Sequence, residues 1–150
     1  MGLQKHILLF GIKLLFNKKV IAGVPAIIRN SNGEILLGKR DKNMICYPDY
    51  WGLPGGIIET GETFEQTIKR ELKEELGVES EPIKYGKASM HMPMKECPLQ
   101  SISIPIYCKI KGIPEPKDET SEVKWFKPKE IRNMSLAYDH KKILKQEKLI

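Results

Sequence analysis

At 150 residues the chain has the size of one ordinary domain, long enough for a single core that buries roughly 68 to 70% of the unfolded surface. Its 41% hydrophobic and 29% charged composition excludes a disordered or collagen-like chain, because enough apolar side chain is present to offset the entropy of ordering. Twenty-five Lys and Arg against nineteen Asp and Glu leave a net charge of +6, which favours an anionic partner such as a nucleotide, a nucleic acid or a membrane surface without choosing among them.

The first segment, Gln4 to Lys18, carries Ile7, Leu8, Phe10, Ile12, Leu15 and Phe16 over much of a helical surface, with Lys5, Lys13, Lys18 and Lys19 at its polar edge. It is expected to form a helical extension over residues 1–18, ahead of a domain over 19–150. The extension would pack on that domain or on a partner subunit, which makes a homodimer contact one of its expected roles. Its apolar stretch, Ile7 to Phe16, is interrupted by Lys13 and falls well short of the roughly 20 residues that span a bilayer. No small-residue cleavage site follows it, and His6 stands where N-terminal lipidation would require Ser or Thr. Cys46, Cys97 and Cys108 are odd in number and lack C-x-x-C spacing, so neither a disulfide framework nor a zinc site is expected. These readings together predict a cytoplasmic protein with no membrane span.

Val20 to Ile28 is β-branched and apolar, Asn30-Ser31-Asn32-Gly33 supplies turn chemistry, and Glu34 to Arg40 is apolar again; a hairpin is predicted. Trp51-Gly52-Leu53-Pro54-Gly55-Gly56 is too rich in glycine and proline for a regular element and should turn sharply. Thr63 to Leu76 reads as a helix: Thr63 and Gln66 form a capping box, Phe64, Ile68, Leu72 and Leu76 recur every four residues, and Gly77 stands where a helix stops. Downstream, Ile83 to Met92, Ser101 to Ile110 and Glu122 to Phe126 read as strands, and Ser135 to Lys148 as a closing helix. No repeat and no linker is visible.

On a helical wheel Glu71, Glu74 and Glu75 fall within an arc of about 100° that overlaps the edge of the apolar stripe, whereas Lys69 and Lys73 occupy the opposite arc. Three carboxylates at a core boundary repel one another, more so when partly desolvated. Arg70 can pair with Glu74 one turn on, but one guanidinium cannot neutralise three acids. With Glu59 and backbone carbonyls of the glycine turn nearby, the arc would make an all-oxygen site for a hard divalent cation such as Mg2+ or Mn2+.

Gly56, then five residues, Glu62, then seven residues, then Arg70-Glu71-Leu72-Lys73-Glu74-Glu75-Leu76-Gly77-Val78 resembles the Nudix box at every defining position. The flanking Leu53-Pro54-Gly55-Gly56, the strands around it and the Trp125 strand extend the resemblance over most of Val20 to Lys148. It implies an α/β fold, an α/β/α sandwich with a mixed β-sheet. It also implies Mg2+-dependent hydrolysis, with Mn2+ able to substitute, of a nucleoside triphosphate or of a nucleoside diphosphate linked to another moiety such as ADP-ribose. By the same resemblance Glu71, Glu74 and Glu75 ligate metal, Glu71 or a downstream acid is the general base, Arg70 orients the carboxylates, the Gly55 carbonyl completes the metal's shell, and Glu62 braces the loop.

Outside the box, Glu119 is the acid expected from a loop before the final strand, with Glu115 and Glu122 as rivals. Lys39 and Arg40 could reach phosphate oxygens. Tyr47, Tyr50 and Trp51 could stack on a base or position the glycine loop, with Tyr50 the expected substrate contact. Trp125 reads as core, and His91 and His140, without visible ligand partners, as surface or structural residues. Pro93 stands fifteen residues after Val78, as in the ADP-ribose subgroup, whereas Met94, Lys95 and Glu96 lack the tyrosine spacing of dinucleoside polyphosphate hydrolases. The alternatives are a non-catalytic nucleotide-sensing Nudix module and a hydrolase of RNA ends (cap or 5'-triphosphate). Nucleic-acid binding is disfavoured, because Lys141, Lys142, Lys145 and Lys148 read as the solvated face of one helix and no aromatic-interleaved RNA motif accompanies them.

Overall fold

The computed structural model describes residues 19–150; the expected N-terminal helix and its dimer contact lie outside the described residues. The apolar run that begins at Val20 forms β1 (Val20–Ile27), and the run after the Asn30–Gly33 turn forms β2 (Ile35–Arg40). The predicted hairpin is only its turn. Asn30 accepts and donates across the corner to Glu34, Leu36 N–H donates to the Ile28 carbonyl, and beyond that point the two strands part into different sheets. Both strands are apolar on consecutive residues, so each needs cover on both faces, and a simple ribbon would leave one face wet.

The larger sheet is mixed. β1 pairs in parallel with β7 (Gln100–Ser103) and β8 (Ile106–Lys111) and antiparallel with β4 (Gly55–Ile57); β5 (Glu79–Tyr85) lies outside β8, and β6 (Ser89–His91) is the edge beyond β7. The smaller sheet has β2 between β3 (Trp51–Gly52) and β9 (Thr120–Phe126), both antiparallel. Three sequence readings need correction here. The glycine-proline run does contain regular structure, the short strands β3 and β4, because main-chain pairing with β2 and β1 outweighs its weak propensity. The expected strand Ile83 to Met92 is two strands, β5 and β6, at opposite sides of the sheet, and Ser101 to Ile110 is broken into β7 and β8 at Pro105, which cannot donate to a ladder.

The helix capped by Thr63 is α1 (Phe64–Leu76), with both halves of the capping box formed and the last turn closed at Gly77. Its Ile68, Leu72 and Leu76 are fully buried against Val24, Ala26, Ile28, Leu36 and Ile106, each such side chain contributing about 1.5–3 kcal/mol. A second core, Ile27, Ile35, Leu37, Leu53 and Phe126, is closed by α2 (Pro128–Arg132), an element the sequence reading missed, and by α3 (His140–Gln146). The closing helix is therefore half as long as expected. Residues before it form an irregular corner in which Tyr138 takes a left-handed backbone (φ 52°) and Leu136 bridges to Trp51.

A third cluster holds the last correction. Cys46 and Cys97 form a disulfide across 51 residues of sequence, with Cα atoms 4.8 Å apart, while Cys108 is free and buried. Nothing in their spacing signals the pairing; the fold brings together the β2–β3 loop and the β6–β7 connection. Tyr47, Ala137, Tyr50, Leu99 and Tyr138 pack around the bridge. No helix among the described residues is long and apolar enough to cross a membrane.

Candidate active site

Between the two sheets and the C-terminal half of α1 opens a cavity of about 540 Å³, lined by Arg40, Gly55, Gly56, Glu71, Glu75, Glu119 and Tyr138 among others. The glycine turn is what lets backbone and carboxylates meet there. Gly55 has φ 134°, and a side chain on it would strike the Val24 carbonyl, so only glycine fits. Gly56 faces α1 so closely that a Cβ would overlap the Glu71 carboxylate.

Glu75 reaches into this turn and accepts a hydrogen bond from the Gly55 N–H at 3.0 Å. Close packing around it pushes its carboxyl up to about 8; the Gly55 amide opposes the shift, and Glu71 adds to it. Glu71 is raised for the same first cause, burial, against the pull of Arg70. Among the described residues no side-chain cation forms a salt bridge with Glu75.

Arg70 is already committed. It donates to both Glu62 oxygens (2.6 and 2.9 Å), to Glu71 (2.8 Å), to Glu74 (3.2 Å) and to the Ile57 carbonyl. Glu62 also accepts from the Glu59 N–H and the Thr67 hydroxyl, and Arg70 above all holds it down to about 2. It braces the loop. Arg70 therefore ties the turn before α1 to two members of the acid arc and leaves the third uncompensated.

The remaining expected residues divide by placement. Glu119 lines the cavity opposite α1, whereas its rival Glu122 is paired with Lys39 at 2.7 Å and Glu115 is not on the cavity wall. Lys39 and Arg40 are neighbours on β2 and so point to opposite faces: Arg40 enters the cavity and Lys39 does not. Tyr50 sits in the disulfide cluster rather than on the cavity wall, and Trp51 packs on Phe126. Glu74 keeps to the outer side of the arc, 49% exposed.

Sequence reasoning missed the supports of this site because all are non-local. The Arg40 Nε–H donates to the Cys46 carbonyl (2.8 Å) while the guanidinium lies over the Tyr138 ring, 5.1 Å from its centroid. His140, half-buried on the cavity wall, accepts the Leu53 N–H at its Nδ1 (3.0 Å) and so anchors the start of the glycine turn; desolvation holds its pKa well below the usual range. His91 bridges the Tyr47 hydroxyl and the Leu99 carbonyl. Both histidines are held by hydrogen bonds within the protein, and His140 also lines the cavity.

The donor set suits a hard cation, being carboxylate and main-chain oxygen throughout. Among the described residues no three acidic, histidine or cysteine side chains are gathered into a ready cage, since Glu71 and Glu74 lean on Arg70 and Glu75 on Gly55. The charge pattern supplies the fit: a half-buried carboxylate beside a second one, with no salt bridge to it among the described residues, is relieved by a bound cation.

The sequence model of the NUDIX domain family matches residues 19–146. An ADP-ribose pyrophosphatase from Methanocaldococcus jannaschii is 36% identical over 124 residues, covering 81% of this chain and 69% of that protein. The MutT protein of Methanosarcina mazei superposes with a TM-score of 0.76 at 25% identity, over 89% of this chain and 95% of the other. A bifunctional NMN adenylyltransferase/ADP ribose pyrophosphatase from Francisella tularensis, complexed with AMP and a Mn ion, shares the fold (TM-score 0.72, 23% identity, 98% of this chain and 48% of that one). The chain spans less than half the length of most of the curated relatives it matches.

Proposed function

The chain belongs to the Nudix hydrolase family, and on that premise we propose that it is a divalent-metal-dependent pyrophosphohydrolase of a nucleoside diphosphate derivative such as ADP-ribose. The observation that carries the reading is the half-buried Glu75, which has no salt-bridge partner among the described residues, beside Glu71 on the wall of a cavity that Arg40 and Glu119 also enter. The likeness to an ADP-ribose pyrophosphatase over most of both chains favours that substrate class over a nucleoside triphosphate. The proposal includes a cytoplasmic location.

Glu71, Glu74, Glu75, Glu119 and the Gly55 carbonyl would hold Mg2+ or Mn2+. Bound there, the ion would lower the pKa of a water and neutralise phosphate oxygens. Arg70 aims Glu71 and Glu74 through the hydrogen bonds it donates to each. Arg40, stacked on Tyr138 and tethered to the Cys46 carbonyl, is positioned for a phosphate oxygen. Glu71 or Glu119 accepts the proton of the attacking water. A metal-dependent hydrolysis screen over ADP-ribose, sugar nucleotides, nucleoside triphosphates, dinucleoside polyphosphates and capped RNA, with products identified, tests the reading. AMP and ribose 5-phosphate from ADP-ribose are expected; no turnover of any phosphoanhydride would leave only a sensing module.

Two further outcomes follow from the geometry. In a Mn2+ titration Glu71→Gln and Glu75→Gln should weaken binding by about tenfold or more and Glu74→Gln by less, because Glu74 is outermost and half exposed. Lys73→Glu should bind as the wild type does, since Lys73 pairs with Glu79 away from the cavity; equal affinities throughout would remove the site. Gly56→Ala should cost turnover and Mn2+ affinity together by displacing Glu71, which an unchanged affinity would disprove.

A further inference from the structure

One face of the larger sheet is covered along only part of its length. Val24 and Ala26 of β1, and Ile28 just beyond it, pack with α1 and are fully buried. Side chains alternate along a strand, so Val20 and Ala22 lie on that same face. In register with them stand Gln100 and Ile102 of β7, and Met90 of β6 opposite Ile102. Met92, two residues beyond Met90, joins the row: the Gln100 side-chain amide contacts both methionine sulfurs. This half of the face is apolar and open, with Val20 54%, Met90 40% and Met92 57% exposed. The opposite face of the same strands, with Ile21, Ser101 and Ser103, belongs to the cavity.

We infer that this face is the docking surface of the chain's own segment Gln4–Lys18. The segment ends where the open face begins, since Val20 is both the first residue of β1 and a member of the row. Its apolar stretch matches the face in size: the ten residues Ile7 to Phe16, in the helical form expected from their sequence, would measure about 15 Å, and the two spacings from β1 across β7 to β6 about 10 Å. Asn17, a residue type that ends helices and enters turns, precedes Lys18 and Lys19. Lys5, Lys13 and Lys18 would stay in water while the apolar side meets methionines, whose flexible side chains adapt to an incoming surface. A tether this short gives the segment a local concentration that a second copy cannot match at ordinary protein concentrations. The inference extends the α1-covered core across the sheet and does not depend on the hydrolase reading.

Photo-crosslinking of the full chain tests it, with benzoylphenylalanine placed at position 10 or 16 in a mixture of isotopically light and heavy protein. Crosslinks to residues 89–92 and 100–102, joining light to light and heavy to heavy only, are the expected result. A Met90→Glu/Met92→Glu double variant should lower their yield about tenfold, because charge is placed in an apolar contact. Ile113→Glu, a change at an exposed apolar residue elsewhere (84% exposed), should leave the yield unchanged. Light–heavy crosslinks would assign the face to a second copy, and crosslinks elsewhere or none would remove the segment from it; either overturns the inference. Because the readout needs no substrate, failure of the hydrolase reading would leave this result standing.

Discussion

Glu75→Gln is expected to lower turnover by about a thousandfold or more, since it removes charge that holds the activating ion, several kcal/mol at 1.36 kcal/mol per decade. The fold should survive it. Glutamine keeps an oxygen that can accept the Gly55 N–H, so the turn retains its anchor. The same substitution should change how metal-free stability depends on pH. Glu75 has a folded pKa of about 8 against an ordinary 4.5, so between those values the folded state holds a proton that the unfolded chain has released. Stability is therefore fully present below about pH 4.5 and falls as pH rises towards 8, by an order of a few kcal/mol. His140 works the other way below its ordinary 6.5, because burial keeps it neutral while the unfolded chain gains a proton. The two oppose each other in acid, and the net decline should show between about pH 6.5 and 8. Melting curves in chelator should fall over that interval for the wild type and stay nearly flat for Glu75→Gln. Saturating Mg2+ should restore only the former. Near-normal turnover would end the catalytic assignment, and a large loss of metal-free stability would make Glu75 a structural partner.

The parts of this site that could be read from the sequence are those written within one or two helical turns. The capping box, the apolar stripe of α1 and the arc of Glu71, Glu74 and Glu75 depend only on spacing along one element, and Arg70 reaches its partners from the same helix or the turn before it. What could not be read depends on which strands meet. Lys39 and Arg40 are equivalent in sequence; the register of β2 against β9 and β3 sends one to Glu122 and the other into the cavity. The turn at Asn30–Gly33 was legible, but the parting of β1 and β2 depends on which strands pair with each, and consecutive apolar residues do not name those partners. His140 is 87 residues from the Leu53 amide that it accepts, and no spacing rule connects them. The shell around the acids is thus tertiary, whereas the acids themselves are local.

Breaking the Cys46–Cys97 bridge, whose two cysteines are both buried, should cause a large loss of stability. The bond closes 51 residues of sequence, and the chain-entropy relation puts the constraint it places on the unfolded state at about 4 kcal/mol. For a domain of this size that corresponds to a Tm lower by about 10 °C. The Cys46→Ser/Cys97→Ser variant and the wild type in excess dithiol should therefore melt together, well below the oxidised protein. The change should reach the cavity as well. Cys46 presents the carbonyl that holds the Arg40 Nε, and Tyr138, on which the guanidinium rests, packs against the same cluster. Loosening that cluster should raise the KM for a phosphoanhydride substrate more than it lowers kcat, because Arg40 is placed to bind phosphate and the acid arc stands on α1, outside the cluster. Cytoplasmic thiols would keep such a bond reduced in most cells, so the difference between the two states also bears on where the protein works. Matching melting curves for oxidised and reduced protein would show that packing of Tyr47, Tyr50 and Tyr138 alone secures the loop.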